Sequence, residues 1–181
     1  LNDQALMQSI CAQAEVVVHL AALSTPWGAY KDFYQVNVNG TKTIVQASAH
    51  AKLKRFIHIS TPSIYFNFKD RTSIAEEDPL PVKSVNAYAE TKKIAETVIE
   101  DAYIPSITLR PRGIFGPHDQ TLFPRILKAC QRRGIPCFRK RSPIIDVTYV
   151  ENLAHAIWLS IQAPDTCLGK TYNITNGEPC S

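Results

Sequence analysis

Glycine is scarce in this chain. Seven glycines in 181 residues is about 4%, against about 7% in ordinary usage. They stand at 28, 40, 113, 116, 134, 169 and 177, never close enough together to form a glycine-rich phosphate loop. The five cysteines (11, 130, 137, 167 and 180) are odd in number and show no C-x-x-C spacing, which reads as reduced thiols in a cytoplasmic protein. No apolar run approaches a membrane span: the longest, Val16 to Leu23, is interrupted by His19. The five histidines (19, 50, 58, 118 and 155) lack metal-ligand spacing, so no metal is implied. No G-x-S-x-G elbow is present. Gly169-Lys170-Thr171 resembles the end of a phosphate-binding loop, but the glycine needed five residues earlier is Pro164. Excess charge is small too. Twenty Lys and Arg against 16 Asp and Glu leave +4, too little for a dedicated nucleic-acid binder. The basic clusters at 131–133 and 138–141 read as solvated loops or as a rim that attracts an anionic cofactor.

What is present is a regular alternation. Four short runs rich in Val and Ile, Val16–Ala22, Arg55–Thr61, Ser106–Pro111 and Thr171–Thr175, lack clean polar alternation, as expected of parallel strands buried on both faces. Helical patterns lie around and between them at Asp3–Ala14, Asp32–Ala51, Tyr88–Ala102, Leu122–Arg133 and Val150–Ala163. Asn86 is placed to cap the third helix and Gly134 to end the fourth. This order predicts right-handed βαβ units and an α/β fold with a parallel, doubly wound sheet in one domain over 1–181. The long connection Phe66–Val85 precedes the third helix, and long loops at the carboxyl ends of strands are where such sheets bind ligands.

Tyr88 and Lys92 stand four apart near a helix start, hence on one face. A phenol ionises near pH 10, and a neighbouring cation lowers that value by about 1–3 units, enough for acid–base work. A second Tyr/Lys pair, Tyr65 and Lys69, follows a strand directly and has no helix to set its geometry. Ser60 and Thr61 end a buried strand. They suit either a strand-terminal cap or a pair of hydroxyls that hold a substrate oxygen against Tyr88. Leu20, Ala21 and Ala22 follow the first strand, where small side chains allow either tight packing or the approach of a flat ligand. His19 and His58 read as core histidines.

The order of motifs carries more than any one of them. Val18-His19-Leu20-Ala21-Ala22, Val36-Asn37-Val38-Asn39-Gly40-Thr41, Phe56-Ile57-His58-Ile59-Ser60-Thr61, Tyr88-x-x-x-Lys92, the segment from Leu109 to Pro117 and the segment from Ile145 to Asn152 occur in sequence along the chain. In this they resemble the extended short-chain dehydrogenase/reductases, the NAD(P)-dependent epimerase/dehydratase group, and most of all its 3β-hydroxysteroid dehydrogenase/isomerase-like branch. The resemblance implies a Rossmann-like domain that binds NAD or NADP, with Tyr88 as general acid/base. Thr61, supported by Ser60, would bind the reacting oxygen. Lys92 would bind the nicotinamide ribose and lower the Tyr88 pKa. Leu20, Ala21 and Ala22 would lie along the cofactor, and Pro111, Arg112 and Ile114 would flank the nicotinamide. The implied substrate is a small-molecule secondary alcohol or ketone, with sugar-nucleotide epimerase/dehydratase chemistry as the alternative. Pairing into a homodimer is an option, through an exposed edge strand at Val16–Ala22 or through the helices at 32–51 and 88–102, with neither nucleic acid nor membrane as partner.

The family's T-G-x-x-G-x-x-G loop is not in this sequence, and the position after Tyr65, usually Gly, is Phe66. With Leu1 in place of Met, the expectation is a chain lacking the first strands, its Leu1-Asn2-Asp3 the tail of a third strand, with part of a substrate-binding region over about 117–150. Such a piece would bind NAD(P) poorly alone, or would serve as a truncated, non-catalytic binding or dimerisation module.

Overall fold

A computed structural model describes residues 1–25, 27–134 and 144–179. The basic run at 138–141, Cys137, Cys180 and part of the expected substrate-binding region lie outside them. The chain begins with α1 (Gln4–Cys11), β1 (Val16–His19) and α2 (Tyr30–Phe33), which runs on through a π-helical stretch (Tyr34–Asn39) into α3 (Gly40–Ala51). Then come β2 (Arg55–Ile59), a 3-10 turn (Pro62–Tyr65), α4 (Ala87–Asp101), β3 (Ser106–Pro111) and β4 (Ile114–Phe115). The chain continues as α5 (Leu122–Arg133), β5 (Thr148–Tyr149), α6 (Val150–Gln162) and β6 (Lys170–Ile174).

Four strands form one parallel sheet in the order β1-β2-β3-β6, and β4 and β5 form a small parallel pair. The absence of polar alternation in β2 has its cause here, since successive side chains point to opposite faces and both faces are covered. Phe56 packs with Cys11, Ile44, Val45 and Ile99 on the face of α1, α3 and α4. Its neighbour Ile57 packs with Ile107, Leu109 and residues of α6 on the other.

The four expected strands and five expected helices are all present, Ser106–Pro111 and Leu122–Arg133 with the expected ends and the others with shifted ones. Asn86 caps α4 by accepting from the Ala89 N–H at 2.8 Å, and Gly134, at φ +71°, closes α5. Three features differ. Leu1–Asp3 is not strand: the Asp3 carboxylate accepts from the Leu6 N–H at 2.9 Å and serves as the N-cap of α1. The π-helical stretch and the two-residue β4–β5 pair leave no periodic trace in the sequence. That pair depends on Gly116, whose φ of +145° and tight seat demand glycine, since a Cβ there would lie 2.6 Å from Val150 Cγ1.

Candidate active site

Strands β1, β2 and β3 end together, and their carboxyl ends open on a cleft of about 460 Å³. Its walls include Leu20 and Ala22 beyond β1, Ser60 and Thr61 beyond β2, and Tyr88 and Lys92 from the first turns of α4. Pro111, Arg112 and Ile114 complete it from the end of β3 and from β4. Of the residues expected to be catalytic or to bind the cofactor, all but Ala21 therefore line one cavity. A second concavity, of about 500 Å³, lies at the amino ends of β3 and β6 among Glu100, Tyr103, Ser106 and Lys170. None of those residues carries the expected chemistry, and open parallel sheets take their ligands at the carboxyl ends.

Lys92 is only 3% exposed. Its ammonium donates to the Ile59 carbonyl at 2.7 Å and contacts His58 Nε2 at 3.3 Å. An ammonium has no acceptor site, so His58 Nε2 must accept and the imidazole proton sits on Nδ1. That buried Nδ1 has no hydrogen-bond partner among the described residues. Burial, with Lys92 and His19 nearby, holds His58 neutral by pushing its pKa well below 6.5. His19 stacks on it with ring centroids 5.4 Å apart. Thr41 Oγ1 spends its proton on the Asn37 carbonyl at 2.6 Å, so at 2.9 Å it accepts from His19 Nε2. Burial and the Lys92 charge lower the His19 pKa to about 4. Burial also lowers Lys92, opposed by the Glu96 carboxylate, to about 8, which leaves it mostly cationic at pH 7.

The expected depression of the Tyr88 pKa by Lys92 is not found. Burial raises the phenol above its ordinary 10, opposed by a hydrogen bond with the Thr61 hydroxyl. Lys92 is directed to the strand end rather than to the phenol. Thr61 has a second task that matches the capping alternative: its Oγ1 accepts from the Ser63 N–H at 3.2 Å and donates to the Ser63 hydroxyl at 3.1 Å. The Ser60 Oγ is buried and makes no hydrogen bond among the described residues.

Two supports escaped the reading of the residues. Asn37, 1% exposed in the π-helical stretch, accepts from the Leu23 N–H at 2.7 Å and donates to the Leu23 carbonyl at 3.1 Å and to Thr91 Oγ1 at 3.0 Å. It ties the loop beyond β1 to α4. The motif Val36–Thr41 was its only sequence signal. Arg110 forms a buried bidentate pair with Glu96, at 3.0 and 2.6 Å, and also donates to the Tyr65 hydroxyl. Tyr65 is thereby committed to the frame while Lys69 is exposed, so the second Tyr/Lys pair forms no site.

Comparison with known proteins gives the same picture. The model of the 3-beta hydroxysteroid dehydrogenase/isomerase family matches residues 1–181. The chain is 34% identical over 186 residues to the 2-alkyl-3-oxoalkanoate reductase of Stenotrophomonas maltophilia, covering 98% of this chain and 56% of that protein. It is 32% identical over 195 residues to the sterol-4-alpha-carboxylate 3-dehydrogenase, decarboxylating, of Mus musculus, covering 97% and 54%. Among solved structures, the UDP-glucuronic acid 4-epimerase of Bacillus cereus, in complex with UDP-glucuronic acid and NAD, superposes with a TM-score of 0.82 at 26% identity, covering 99% of this chain and 60% of that one. The chain spans about half the length of the curated relatives it matches. Strand order, cleft and motif order agree with this match over the whole length, and the chain belongs to the 3-beta hydroxysteroid dehydrogenase/isomerase family.

Proposed function

We propose that the protein is an NAD(P)-dependent oxidoreductase that interconverts a secondary alcohol and a ketone, with a carboxylate on the carbon next to the reacting one. The observation that carries the redox reading is the convergence of Tyr88, Thr61, Ser60 and a buried, cationic Lys92 in one cleft. The cleft fits the nicotinamide end of a dinucleotide. Among the described residues Lys92 uses two of its three N–H bonds and the buried Ser60 hydroxyl has no hydrogen bond, and Leu20 and Ala22 leave an apolar wall. When bound, the nicotinamide supplies hydride exchange at the alcohol carbon.

The chain's own residues handle the oxygen and its proton. Thr61 and Tyr88 place two hydroxyls side by side, one to hold the substrate oxygen and one to exchange its proton. With its pKa raised by burial, Tyr88 is protonated at neutral pH, which is the form that donates to a carbonyl oxygen in the reductive direction. In the oxidative direction the phenol first gives its own proton to solvent at the cleft, and the phenolate oxygen then takes the alcohol proton as hydride leaves the carbon. Lys92, fixed on the Ile59 carbonyl, keeps a positive charge beneath this site.

The substrate class comes from the relatives' names. A 2-alkyl-3-oxoalkanoate carries its carbonyl two carbons from the carboxylate. A sterol-4-alpha-carboxylate acted on at position 3 has the same relation, and so does glucuronic acid acted on at position 4. All three are 3-hydroxy or 3-oxo acids at the reacting carbon. Incubation of the whole gene product with a 2-alkyl-3-hydroxyalkanoate and NAD⁺ or NADP⁺ should produce the absorbance of the reduced nicotinamide. Turnover of simple 3β-hydroxysteroids or of sugar nucleotides in its place would move the reading to those alternatives. No turnover of any of them would favour a binding or dimerisation module.

A further inference from the structure

A carboxylate in this cleft needs a cation that is free to meet it. Of the residues lining the cleft none is acidic and two are cationic, Lys92 and Arg112. Lys92 lies beneath the site and is held by the Ile59 carbonyl and His58. Arg112 is different. It stands one residue past β3 and is partly buried. Its backbone is fixed, since its N–H donates to the Ile174 carbonyl at 2.9 Å. Its guanidinium forms no ion pair or side-chain hydrogen bond among the described residues. By contrast, the neighbouring Arg110 is fully engaged with Glu96 and Tyr65. Arg112 thus offers the cleft an unpaired guanidinium, and no acidic side chain lines that cleft to compete with an incoming anion. Its planar fork matches a carboxylate with two parallel hydrogen bonds.

We infer that Arg112 is the carboxylate anchor of the substrate site: it binds the acid group of a 3-hydroxy or 3-oxo acid while Tyr88 and Thr61 hold the oxygen at the reacting carbon. This rests on the functional reading above and makes it specific. One carbon separates the acid group from the reacting carbon, so gripping the acid group and the reacting oxygen together fixes which face of the reacting carbon meets the nicotinamide. An apolar tail then lies along Leu20, Ile114 and Leu153, which line the same cleft. Arg112 is thus a specificity residue, with no part in proton transfer.

The competing assignment is that Arg112 flanks the cofactor and meets its phosphates. Two measurements on the whole gene product separate these roles. The first compares kcat/KM for a 2-alkyl-3-hydroxyalkanoate and for its methyl ester, which lacks the negative charge; the hydroxy acid is used because 3-oxo acids lose carbon dioxide on standing. The native protein should prefer the acid by roughly 10–100-fold, the range of a charge-assisted pair. Arg112→Gln should collapse that ratio toward one, chiefly through KM for the acid, and Arg112→Lys should restore part of it. The second is the Kd for NAD⁺ and NADP⁺ by calorimetry, which should shift less than about threefold in Arg112→Gln. An acid preference that survives in Arg112→Gln would overturn the inference, and so would a fall in nucleotide affinity with acid and ester lowered alike. If the native protein turns over neither acid nor ester, the functional reading itself fails, and the anchor with it.

Discussion

Tyr88 shares a helix face with a lysine that is occupied elsewhere. Lys92 faces the end of β2, where the Ile59 carbonyl and His58 share its protons, and the phenol finds its hydrogen bond at Thr61 instead. The donor and acceptor counts then require opposite tautomers in two stacked histidines: Nδ1–H at His58 and Nε2–H at His19. Long-range nitrogen–proton NMR on histidine-labelled protein should show this pattern at pH 7, with His19 neutral down to about pH 4. An Nε2–H signal for His58 would mean that Lys92 does not donate to it. The i,i+4 spacing made the Tyr88–Lys92 pair legible in the sequence. His58 was not, because a histidine in a buried strand reads as core until a lysine 34 residues away arrives at its Nε2.

At the scale of elements, the active site depends on a helix that is not regular. The π-helical stretch Tyr34–Asn39 carries Asn37 with its side chain bridging Leu23 and Thr91, and such stretches recur at functional sites. Asn37→Ala removes three hydrogen bonds and strands buried partners, a loss of roughly 2–4 kcal/mol that urea unfolding would measure. It should also loosen the wall formed by Leu20 and Ala22, so nucleotide affinity should fall in the same variant. If stability and affinity stayed at native values, the bridge would be incidental. Capped helices and buried strands were readable because Asn86, Gly134 and the Val/Ile runs act locally. The π-helical stretch was not, since its side chains keep near-helical spacing. Nor was the β4–β5 pair, in which two residues per strand give no period. Asp3 was misread for a related reason: at the end of a short polar segment, a helix cap and a strand tail look alike.

For the molecule as a whole, two buried neutral histidines and one buried lysine set how stability varies with pH. Unfolded histidine titrates near 6.5, whereas folded His19 titrates at about 4. Between those values the unfolded chain binds a proton that the folded chain refuses, so stability falls as pH drops through that window. The change is about 3 kcal/mol for His19 alone, and His58, lowered as well, acts in the same sense. Lys92 extends the trend upward, since its folded value of about 8 lies below the ordinary 10.5 and stability should rise between the two. Denaturant midpoints at pH 7 and pH 4.5 would show this, and a flat profile would mean that the two imidazoles are not buried as described. The parallel α/β sheet was legible because strands and helices alternate along the chain. The network that makes the cleft work was not, because it joins residues from α3, β2, α4 and β3.

The central claim is that Tyr88 exchanges the substrate's proton in a redox site. The most direct test is Tyr88→Phe in the whole gene product, assayed for nicotinamide reduction with a 3-hydroxy acid alongside its thermal unfolding. Removing only the phenolic oxygen should lower kcat by roughly 10²-fold or more while Tm stays within a few degrees, the range expected for loss of a general acid/base. A variant that keeps its Tm and turns over at a rate near the native one would contradict the account.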